Sequence, residues 1–284
     1  WNEIDIEIMG RYFDNVQFNT ITPNQTNHVA HKPMQTSPHQ DYHTYAFEWT
    51  PEYVAWFIDG VEVLKQTGAH IQTLTLPQKI MMNIWNPAFE NWAGVFNPDA
   101  LPAFAYYDWV SYYAYTPGSG SYGTGNNFLH DWTDNFDDWD TTRWDKATHT
   151  FNGNNCDFIH ENAVFEDGNL ILCLTNNTNI GYVDLQPPTL EWARASTDNK
   201  VLVKFSEELD PASAENISNY IIQGVTINSA ALHQDLKSVE LSVSGLIIPS
   251  TKSLVVMSMK DDSAVPNTMS AKATSIIMPE ALTF

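Results

Sequence analysis

Apolar and polar residues alternate along most of this chain, and this alternation argues against a helical fold. Successive side chains of a β-strand point to opposite faces, whereas a helix repeats about every 3.6 residues. Period-two runs recur and amphipathic helical periodicity is almost absent, so the chain is predicted to be all-β. The clearest runs are YHTYAFEWT, YVAWFIDGVEVLKQ, KIMMNIW, AYYDWVSYYAY and NAVFEDGNLILCLT.

The first ten residues, WNEIDIEIMG, place three isoleucines on one face of a predicted strand and three carboxylates, Glu3, Asp5 and Glu7, on the other. Like charges side by side repel, so local stability does not explain them. The Glu3 and Glu7 backbones lie about 13 Å apart on a straight strand. Side chains that lean together bring the carboxyls toward about 5–6 Å, the separation typical of a retaining glycosidase. Asp5 between them disfavours a third ionised carboxylate and so helps to keep one Glu protonated as an acid. The alternative is an acidic strand that faces solvent.

Length and charge limit the classes of partner. The 284 residues suit one large or two ordinary domains. The formal net charge of −21 repels phosphate backbones and anionic lipid, so neither nucleic acid nor a membrane is a predicted partner. A neutral polysaccharide or a cation is compatible with this charge. No apolar run reaches the length of a membrane span, and no signal peptide is recognisable.

The two cysteines flank a predicted hairpin whose turn reads FEDGNL. Pairing Phe165 with Leu170 places Cys173 opposite Asn162 and not opposite Cys156. A disulfide is therefore not implied, and both cysteines are predicted to be free and partly buried.

Two breaks divide the chain. Residues 117–127, PGSGSYGTGNN, are predicted to form a flexible linker inside a first domain of residues 1–185. The sequence QPP at 186–188 marks a domain boundary. The short strands NKVLVKF, SVELSV and SLVVMS beyond it predict a small β-sandwich over 189–284. FSEELDPASAENISNY in this region resembles a motif of bacterial extracellular Ig-like domains. The region shows no catalytic constellation, so a spacer or accessory role is expected.

The first domain resembles family 16 glycoside hydrolases. In order, EIDIE, VQFNTIT, YHTYAFEWTPEYVAWFIDGVEV, KIMMNIWN, NWAGVFN and YYDWVSYYAYTPG are similar to the second half of these enzymes, most closely the bacterial lichenases. Lichenases are endo-1,3-1,4-β-glucanases with a β-jelly-roll fold. After the linker, DWTDNFDDWDTTRWDKATHTFNGNNCDFIHENAVFEDGNLILCLT resembles the beginning of the same enzymes. The two halves are in swapped order, as in circularly permuted lichenases, and the resemblance covers about residues 1–176.

The permuted order implies that further strands of the jelly roll, with part of the glucan cleft, precede Trp1. Residues 1–284 are therefore not expected to be a self-sufficient folding unit. A separate N-terminal segment that completes the jelly roll is an expected partner, because a sheet without it would expose unpaired edges.

Residue by residue, the resemblance implies that Glu3 is the nucleophile, Asp5 its charge-tuning neighbour and Glu7 the acid/base. The strand reads E-x-D-x-E without the extra residue of laminarinases (E-x-D-x-x-E), which favours the lichenases, although xyloglucan-active relatives share the shorter form. The positions that match the substrate cleft are Trp1, Gln17, Asn19, Asn83, Trp85, Trp92 and His149.

Tryptophans in the sequence have two possible roles. An aromatic face suits the apolar plane that glucose presents, whereas a buried Trp packs a core. Trp49 and Trp56 are predicted to be core residues, and Trp85 and Trp92, in a loop of Asn, Pro and Gly, to be cleft residues. His149 stands where lichenases usually carry a Trp that stacks on glucose. This departure leaves the strength of that subsite and the preferred chain length open.

A structural calcium ion is also implied, with Asp108, Asn135 and Gly168 at the matching ligand positions. Carboxylate and carbonyl oxygens suit Ca²⁺. The alternative is that Asp108 begins a strand and that Asn135 and Gly168 serve turns.

The predicted function is a secreted, retaining endo-β-1,3-1,4-glucanase that needs no cofactor for its chemistry and acts on a β-glucan polysaccharide. Three alternatives stay open: a non-catalytic glucan-binding protein on the same scaffold, a 1,3-β-glucanase or xyloglucanase of the same family, and a calcium-stabilised surface protein. Two Glu residues that flank an Asp argue against the first alternative, because a lectin does not need them.

Overall fold

The computed structural model describes residues 1–197, 199–247, 251–263 and 265–278. Contacts divide the chain into two compact units, Trp1–Tyr182 and Val183–Phe284. In the described ranges the α-helices are two single turns, α1 (Glu90–Ala93) and α2 (Pro211–Ala214). The all-β prediction is therefore confirmed. No helix in these ranges combines the length and apolar character that a membrane crossing requires.

The first unit consists of short antiparallel sheets. Its strands are β1 (Glu3–Glu7), β2 (Asn15–Thr22), β3 (Thr26–Asn27), β4 (Ala30–Pro33), β5 (Tyr45–Trp49), β6 (Tyr53–Ile58), β7 (Val61–Thr67), β8 (Ala103–Tyr107), β9 (Val110–Tyr115), β10 (Phe128–Asp134), β11 (Ala163–Glu166) and β12 (Asn169–Leu174). They pair in the orders β1-β2-β3 with β4 also on β2, β5-β6-β7, β9-β10, and β11-β12-β8.

A hydrophobic core forms between the sheet of β1 and β2 and the sheet of β6. Phe18 and Trp56 are fully buried, with ring centroids 5.7 Å apart. Ile4 and Ile6 of β1 pack against this core, as does Trp49, so the predicted core roles of Trp49 and Trp56 are confirmed. Because side chains alternate along a strand, the packing of the isoleucines turns Glu3, Asp5 and Glu7 to the opposite face of β1.

Both predicted hairpins are present. Asp59-Gly60 and Asp167-Gly168 connect their strands, and all four residues have positive φ, as a two-residue type I′ turn requires. Phe165 pairs with Leu170, as predicted. Cys156 and Cys173 are both free, with Cys173 buried, which confirms the prediction for the cysteines.

Two segments differ from the sequence-based expectation. KIMMNIW (79–85) was predicted to be a strand but has no ladder partner among the described residues, and alternation alone does not make a strand. The segment 117–127, predicted to be a flexible linker, is folded as a compact loop between the paired strands β9 and β10. A hydrogen bond from Thr116 N to Asn127 O (2.7 Å) closes the loop at its base. A second bond, from Ser121 N to Phe128 O (2.9 Å), ties the middle of the loop to the start of β10.

In its described residues, the second unit has seven β-strands. Its strands are β13 (Leu190–Thr197), β14 (Lys200–Phe205), β15 (Tyr220–Ile222), β16 (Thr226–Leu232), β17 (Ser238–Ser244), β18 (Ser253–Val256) and β19 (Lys272–Ile277), paired in the order β15-β18-β19-β13-β14-β17-β16. Strand β19 pairs first with β18 and then, through Ile276 and Ile277, with β13 in parallel. This change of partner lets the strands enclose a core that includes Phe205, Leu241 and Leu254. Residues 279–284 of the predicted accessory domain lie outside the described ranges.

Candidate active site

The register of β1 and β2 places an amide side chain opposite two of the three carboxylates. Asp5 pairs with Asn19, and Glu7 pairs with Gln17. Directly opposite residues of an antiparallel pair lie on the same face of the sheet, so both amides face the carboxylates. Asn19 and Gln17 are buried, each with 4% of its surface exposed. We call Glu3, Asp5 and Glu7 the carboxylate row.

Gln17 contacts both Glu7 and an aromatic residue. Its Nε2 donates a hydrogen bond to Oε2 of Glu7, and its Oε1 accepts one from the indole Nε1 of Trp92 at 3.0 Å. The two bonds use opposite ends of one amide. The side chain of the predicted acid/base is therefore linked through Gln17 to a predicted cleft residue 75 positions further along the chain from Gln17.

The other two carboxylates also have polar partners. Asn19 donates from Nδ2 to Oδ2 of Asp5 (3.2 Å) and to Oδ1 of Asn27 (3.0 Å), while its Oδ1 accepts from the backbone N–H of His28 (2.9 Å). Asn19 is therefore held by three bonds. Trp1, which is largely exposed, donates from its indole Nε1 to Oε2 of Glu3 at 2.7 Å.

Burial of this row keeps protons on two of its members near neutral pH. Burial raises the pKa of Glu7 to about 7, opposed by the Gln17 bond and assisted by the charge of Glu3. Burial also raises the pKa of Asp5 to about 8, assisted by the charge of Glu3, by a hydrogen bond with Glu3 and by the charge of Glu7, and opposed by Asn19. Asp5 is predicted to be the charge-tuning neighbour, and its raised pKa indicates that it carries a proton near neutral pH, whereas the charge that raises the pKa of Glu7 is that of Glu3.

An aromatic wall continues from Gln17. Trp92 lies 5.9 Å from Trp85, Trp85 lies 5.1 Å from Phe151, Phe151 lies 6.1 Å from Phe158, and Phe158 lies 6.4 Å from His149, measured between ring centroids. The structure therefore brings three predicted cleft residues, Trp85, Trp92 and His149, into one row of contacts that ends at Gln17, which bonds to Glu7.

Sequence reasoning missed Phe151 and Phe158 as members of this wall. They belong to the segment that contains TFNGN, and the signal that could have identified them is the short distance in sequence from His149. Backbone bonds join this segment to the loop of Trp85: Ala88 N donates to Gly153 O (2.8 Å), and Asn155 N donates to Asn86 O (2.9 Å). Asn83, the remaining predicted cleft residue, is exposed.

Arg11 holds the segment that carries Trp92. Its Nη1 donates to the carbonyl oxygens of Asn91 (3.0 Å) and Trp92 (2.8 Å) in the last turn of α1. Such a cation satisfies carbonyls that the helix leaves without a partner. Gly94 follows with φ of +90°, and a Cβ there would meet Cβ of Arg11 at 3.3 Å.

The predicted calcium ligands lie at neighbouring strand ends. Asp108 follows Tyr107, which pairs with Leu170 just after Gly168, and Asn135 follows Asp134, which pairs with Val110. A Cβ at Gly168 would lie 3.7 Å from Oδ1 of Asp137. Carboxylate, amide and backbone carbonyl oxygens are the donor types that Ca²⁺ takes. Gly168 also serves the turn between β11 and β12, as the alternative reading expected.

A different acidic cluster lies in the second unit. Carboxylate oxygens of Asp184, Glu207 and Asp261 lie within 4.8 Å of one another, an arrangement that could hold a metal ion. Burial and the two neighbouring carboxylates raise the pKa of Glu207 to about 7. None of these residues belongs to the predicted calcium set.

Known proteins resemble the first unit. Residues 1–110 match the profile of glycosyl hydrolases family 16. The chain is 42% identical over 178 residues to a β-glucanase of Fibrobacter succinogenes, which covers 62% of this chain and 50% of that protein. It is 42% identical over 113 residues to a β-glucanase of Bacillus subtilis, which covers 39% of this chain and 45% of that protein. The chain therefore spans about half the length of the curated relatives it matches.

A solved structure titled "Crystal structure of a prokaryotic beta-1,3-1,4-glucanase (lichenase) derived from a mouse hindgut metagenome" is also similar. The identity is 41%, the match covers 24% of this chain and 31% of that chain, and the TM-score is 0.23.

The raised pKa of Asp5 predicts a pH-dependent loss of stability. Asp5 titrates near 3.8 when unfolded and near 8 when folded, so it is protonated in both states at lower pH. As the pH rises between these values, the unfolded state alone loses the proton, and the stability that protonated Asp5 contributes is lost progressively. Asp5→Asn keeps the shape without the charge. We expect it to raise the melting temperature near pH 8 by at least about 2 °C, the effect of ~1 kcal/mol in a domain of this size.

Calorimetry of the wild type and Asp5→Asn across this pH range measures the effect. The gain should shrink toward pH 4, and the exposed control Asp41→Asn should show no such trend. An equal gain in melting temperature at both ends of the pH range would contradict a raised pKa of Asp5 in the folded state.

Proposed function

Because residues 1–110 carry a glycosyl hydrolase family 16 domain with β-glucanase relatives, we propose that this protein is a retaining endo-β-1,3-1,4-glucanase. The observation that carries the proposal is the carboxylate row on β1. Glu7 has a pKa of about 7, so a large fraction of it is protonated at neutral pH and can act as an acid. Glu3 lies on the same face of the strand and can act as the nucleophile.

In the first proposed step, a carboxylate oxygen of Glu3 attacks the anomeric carbon. The bond from that carbon to the leaving sugar oxygen breaks, and Glu7 gives its proton to this oxygen. The product is a glycosyl ester on Glu3, with Glu7 ionised. In the second step, Glu7 takes a proton from water, whose oxygen attacks the anomeric carbon. The ester bond breaks, Glu3 regains its charge and Glu7 regains its proton. The reaction needs no cofactor.

Asp5 supports Glu3 in this proposal. A protonated Asp5 donates its proton in a hydrogen bond to Glu3, as the rise of its pKa by a Glu3 bond indicates. This bond spreads the negative charge of the nucleophile and fixes its orientation. Asn19 donates a hydrogen bond to Oδ2 of Asp5 and so restrains the side chain of Asp5.

The aromatic wall is the proposed sugar-binding surface. Aromatic faces suit the apolar C–H planes of glucose, and the net charge of −21 is tolerated by a neutral polymer. Gln17, Asn19 and Asn83 are proposed to contact sugar hydroxyls, and Trp1, beside Glu3, to flank the reacting sugar. We infer that the protein acts outside the cell, because a β-glucan polymer is an extracellular substrate.

The swapped order of segments is proposed to be a circular permutation. The match to the Fibrobacter protein runs over 178 residues, whereas that to the Bacillus protein runs over 113, which is expected if only the former shares the order on both sides of residues 117–127. The same proposal includes a separate N-terminal segment that supplies the remaining strands of the jelly roll. We also propose that 189–284 forms an Ig-like accessory domain joined by 186–188. The permutation requires β10, the first strand after residues 117–127, to belong to the same domain as β1. An experimental structure that places the two strands in different domains would contradict it.

Specificity provides the direct test of the function. The uninterrupted E-x-D-x-E strand predicts strong hydrolysis of barley β-glucan and lichenan and much weaker hydrolysis of laminarin. Xyloglucan is the fourth substrate, because xyloglucan-active relatives share the shorter form of the motif. Reducing-sugar release on the four polymers, with product analysis by chromatography, measures this. Comparable rates on laminarin would identify the protein as a 1,3-β-glucanase. Binding of glucan without any hydrolysis would identify it as a glucan-binding protein.

The nucleophile is tested by Glu3→Gln. The amide keeps the shape of the side chain but cannot form the glycosyl ester, so we expect hydrolysis of mixed-linkage glucan to fall at least about a thousandfold while glucan binding is retained. The matched control is Glu62→Gln on the exposed face of β7, which should keep wild-type activity. Residual activity of more than a few per cent in Glu3→Gln would assign the nucleophile to another residue.

Calcium is proposed to bind Asp108, Asn135 and Gly168 and to stabilise the first unit. A ligand at a hundredfold excess over its dissociation constant adds about 2.7 kcal/mol to stability. We therefore expect added Ca²⁺ to raise the melting temperature of the wild type, and Asp108→Asn to lose most of this gain. The exposed control Asp99→Asn should keep the gain. An equal gain in Asp108→Asn would place the ion elsewhere.

A further inference from the structure

The amide of Gln17 has one orientation that serves both of its partners. The indole Nε1–H of Trp92 is a donor and cannot accept a hydrogen bond. Its bond at 3.0 Å therefore needs the carbonyl oxygen of the Gln17 amide, which leaves the NH₂ group to face Glu7. Gln17 is 4% exposed, so water has little access to replace either bond.

The direction of the bond to Glu7 matters for acid catalysis. An amide N–H donates to the ionised carboxylate and stabilises it, whereas an amide oxygen would accept from the protonated carboxyl and stabilise that form. The two orientations of Gln17 therefore favour opposite protonation states of Glu7. In this structure the orientation is the one that favours ionisation, and the Gln17 bond opposes the rise in the pKa of Glu7.

Trp92 is itself held in place. Arg11 bonds to the carbonyl oxygens of Asn91 and Trp92, and the Trp92 ring packs against Trp85. The backbone and the ring of Trp92 are thus both restrained, so its N–H has a fixed direction toward Gln17.

The charged and titratable groups around Glu7 are few. Glu3 and Asp5 lie on its own strand, and β2 presents Gln17 and Asn19, which do not titrate. Strand β4 places His31 opposite Gln17, where its ring contacts Tyr12 edge-on at 5.8 Å. The guanidinium of Arg11 lies 5.1 Å from the Tyr12 ring. Apart from Glu7, which is replaced only for its assignment, none of the charged or titratable groups named here changes in the variants described below.

We propose that Trp92 is a positioning residue for Glu7: its indole N–H fixes the amide orientation of Gln17, so that Gln17 presents a donor to Glu7. The inference rests on the proposed function for the acid/base role of Glu7, but the chain of hydrogen bonds itself can be tested without catalysis. Trp92 would thus have two roles, a sugar-facing ring and an N–H that adjusts the strength of the acid.

The test is a carbon-13 NMR titration of the full chain, labelled at the glutamate side-chain carboxyls and free of substrate, with Glu7 assigned by Glu7→Gln. In Trp92→Phe the amide is free to turn, and we expect the pKa of Glu7 to rise above its wild-type value by roughly one to two units, the size of one hydrogen bond to a charged group. The matched control is Trp85→Phe. Its Nε1 has no acceptor in the part of the chain that the structure describes, so the pKa of Glu7 should stay unchanged.

A double-mutant cycle shows whether Trp92 acts through Gln17. Gln17→Leu should also raise the pKa of Glu7, and adding Trp92→Phe to Gln17→Leu should shift it no further. Replacing Trp92 by β-(3-benzothienyl)alanine, which has the same shape without the N–H, gives the same expected shift if Trp92→Phe does not fold.

An unchanged pKa of Glu7 in both replacements of Trp92 would overturn the proposal, and so would an equal shift with and without Gln17. The alkaline limb of the pH–rate profile on lichenan should move with the NMR pKa. If the wild type hydrolyses no glucan, the proposed function fails, whereas the NMR titration still decides the role of Trp92.

Discussion

The site depends on the partial burial of three neighbouring carboxyl groups along one strand. Each carboxylate that leaves water loses hydration, and each charged neighbour adds repulsion. The fold compensates in two ways. Amides from β2 supply hydrogen bonds to Asp5 and Glu7, and protonation removes charge from the same two residues near neutral pH. The isoleucines between them hold β1 against the core of Phe18 and Trp56, so the three carboxyl groups share the opposite, half-buried face of the strand.

Other features of the first unit extend this arrangement outward. Gln17 is fixed by Trp92, Trp92 belongs to a segment fixed by Arg11, and the Trp85 ring beside it contacts Phe151 of a distant segment. Backbone bonds from Ala88 to Gly153 and from Asn155 to Asn86 keep those two loops together. Positions far apart in sequence are therefore coupled to the protonation of one carboxyl through short, directional contacts and not through the core.

The sequence predicted the strand class, the two hairpins with Asp-Gly turns, the free cysteines and the acidic face of β1, because each of these follows from local periodicity or turn chemistry. It did not predict the loss of strand structure at KIMMNIW, since a strand also needs a partner that alternation does not specify. It also missed the compact loop at 117–127, because Gly and Ser indicate flexibility whereas the hydrogen bonds of Asn127 and Phe128 come from tertiary context. The contacts of Gln17 with Trp92 and of Arg11 with α1 connect distant positions, and such pairs leave no periodic signal.

The choice of amides in place of cations beside the carboxylates has a chemical reason. A lysine or arginine at position 17 or 19 would compensate the buried charge more strongly, but it would hold the pKa of its partner well below neutral, as an adjacent opposite charge does. Glu7 would then be ionised throughout the working range and could not protonate a leaving group. An amide positions the carboxyl group and favours its ionised form only modestly, because the amide carries no net charge. Burial therefore still raises the pKa of the carboxyl. Whether the amide donates to the carboxylate or accepts from the protonated carboxyl depends on which of its two ends faces that group. The residue that fixes the orientation of the amide, Trp92, therefore also influences the pKa of Glu7.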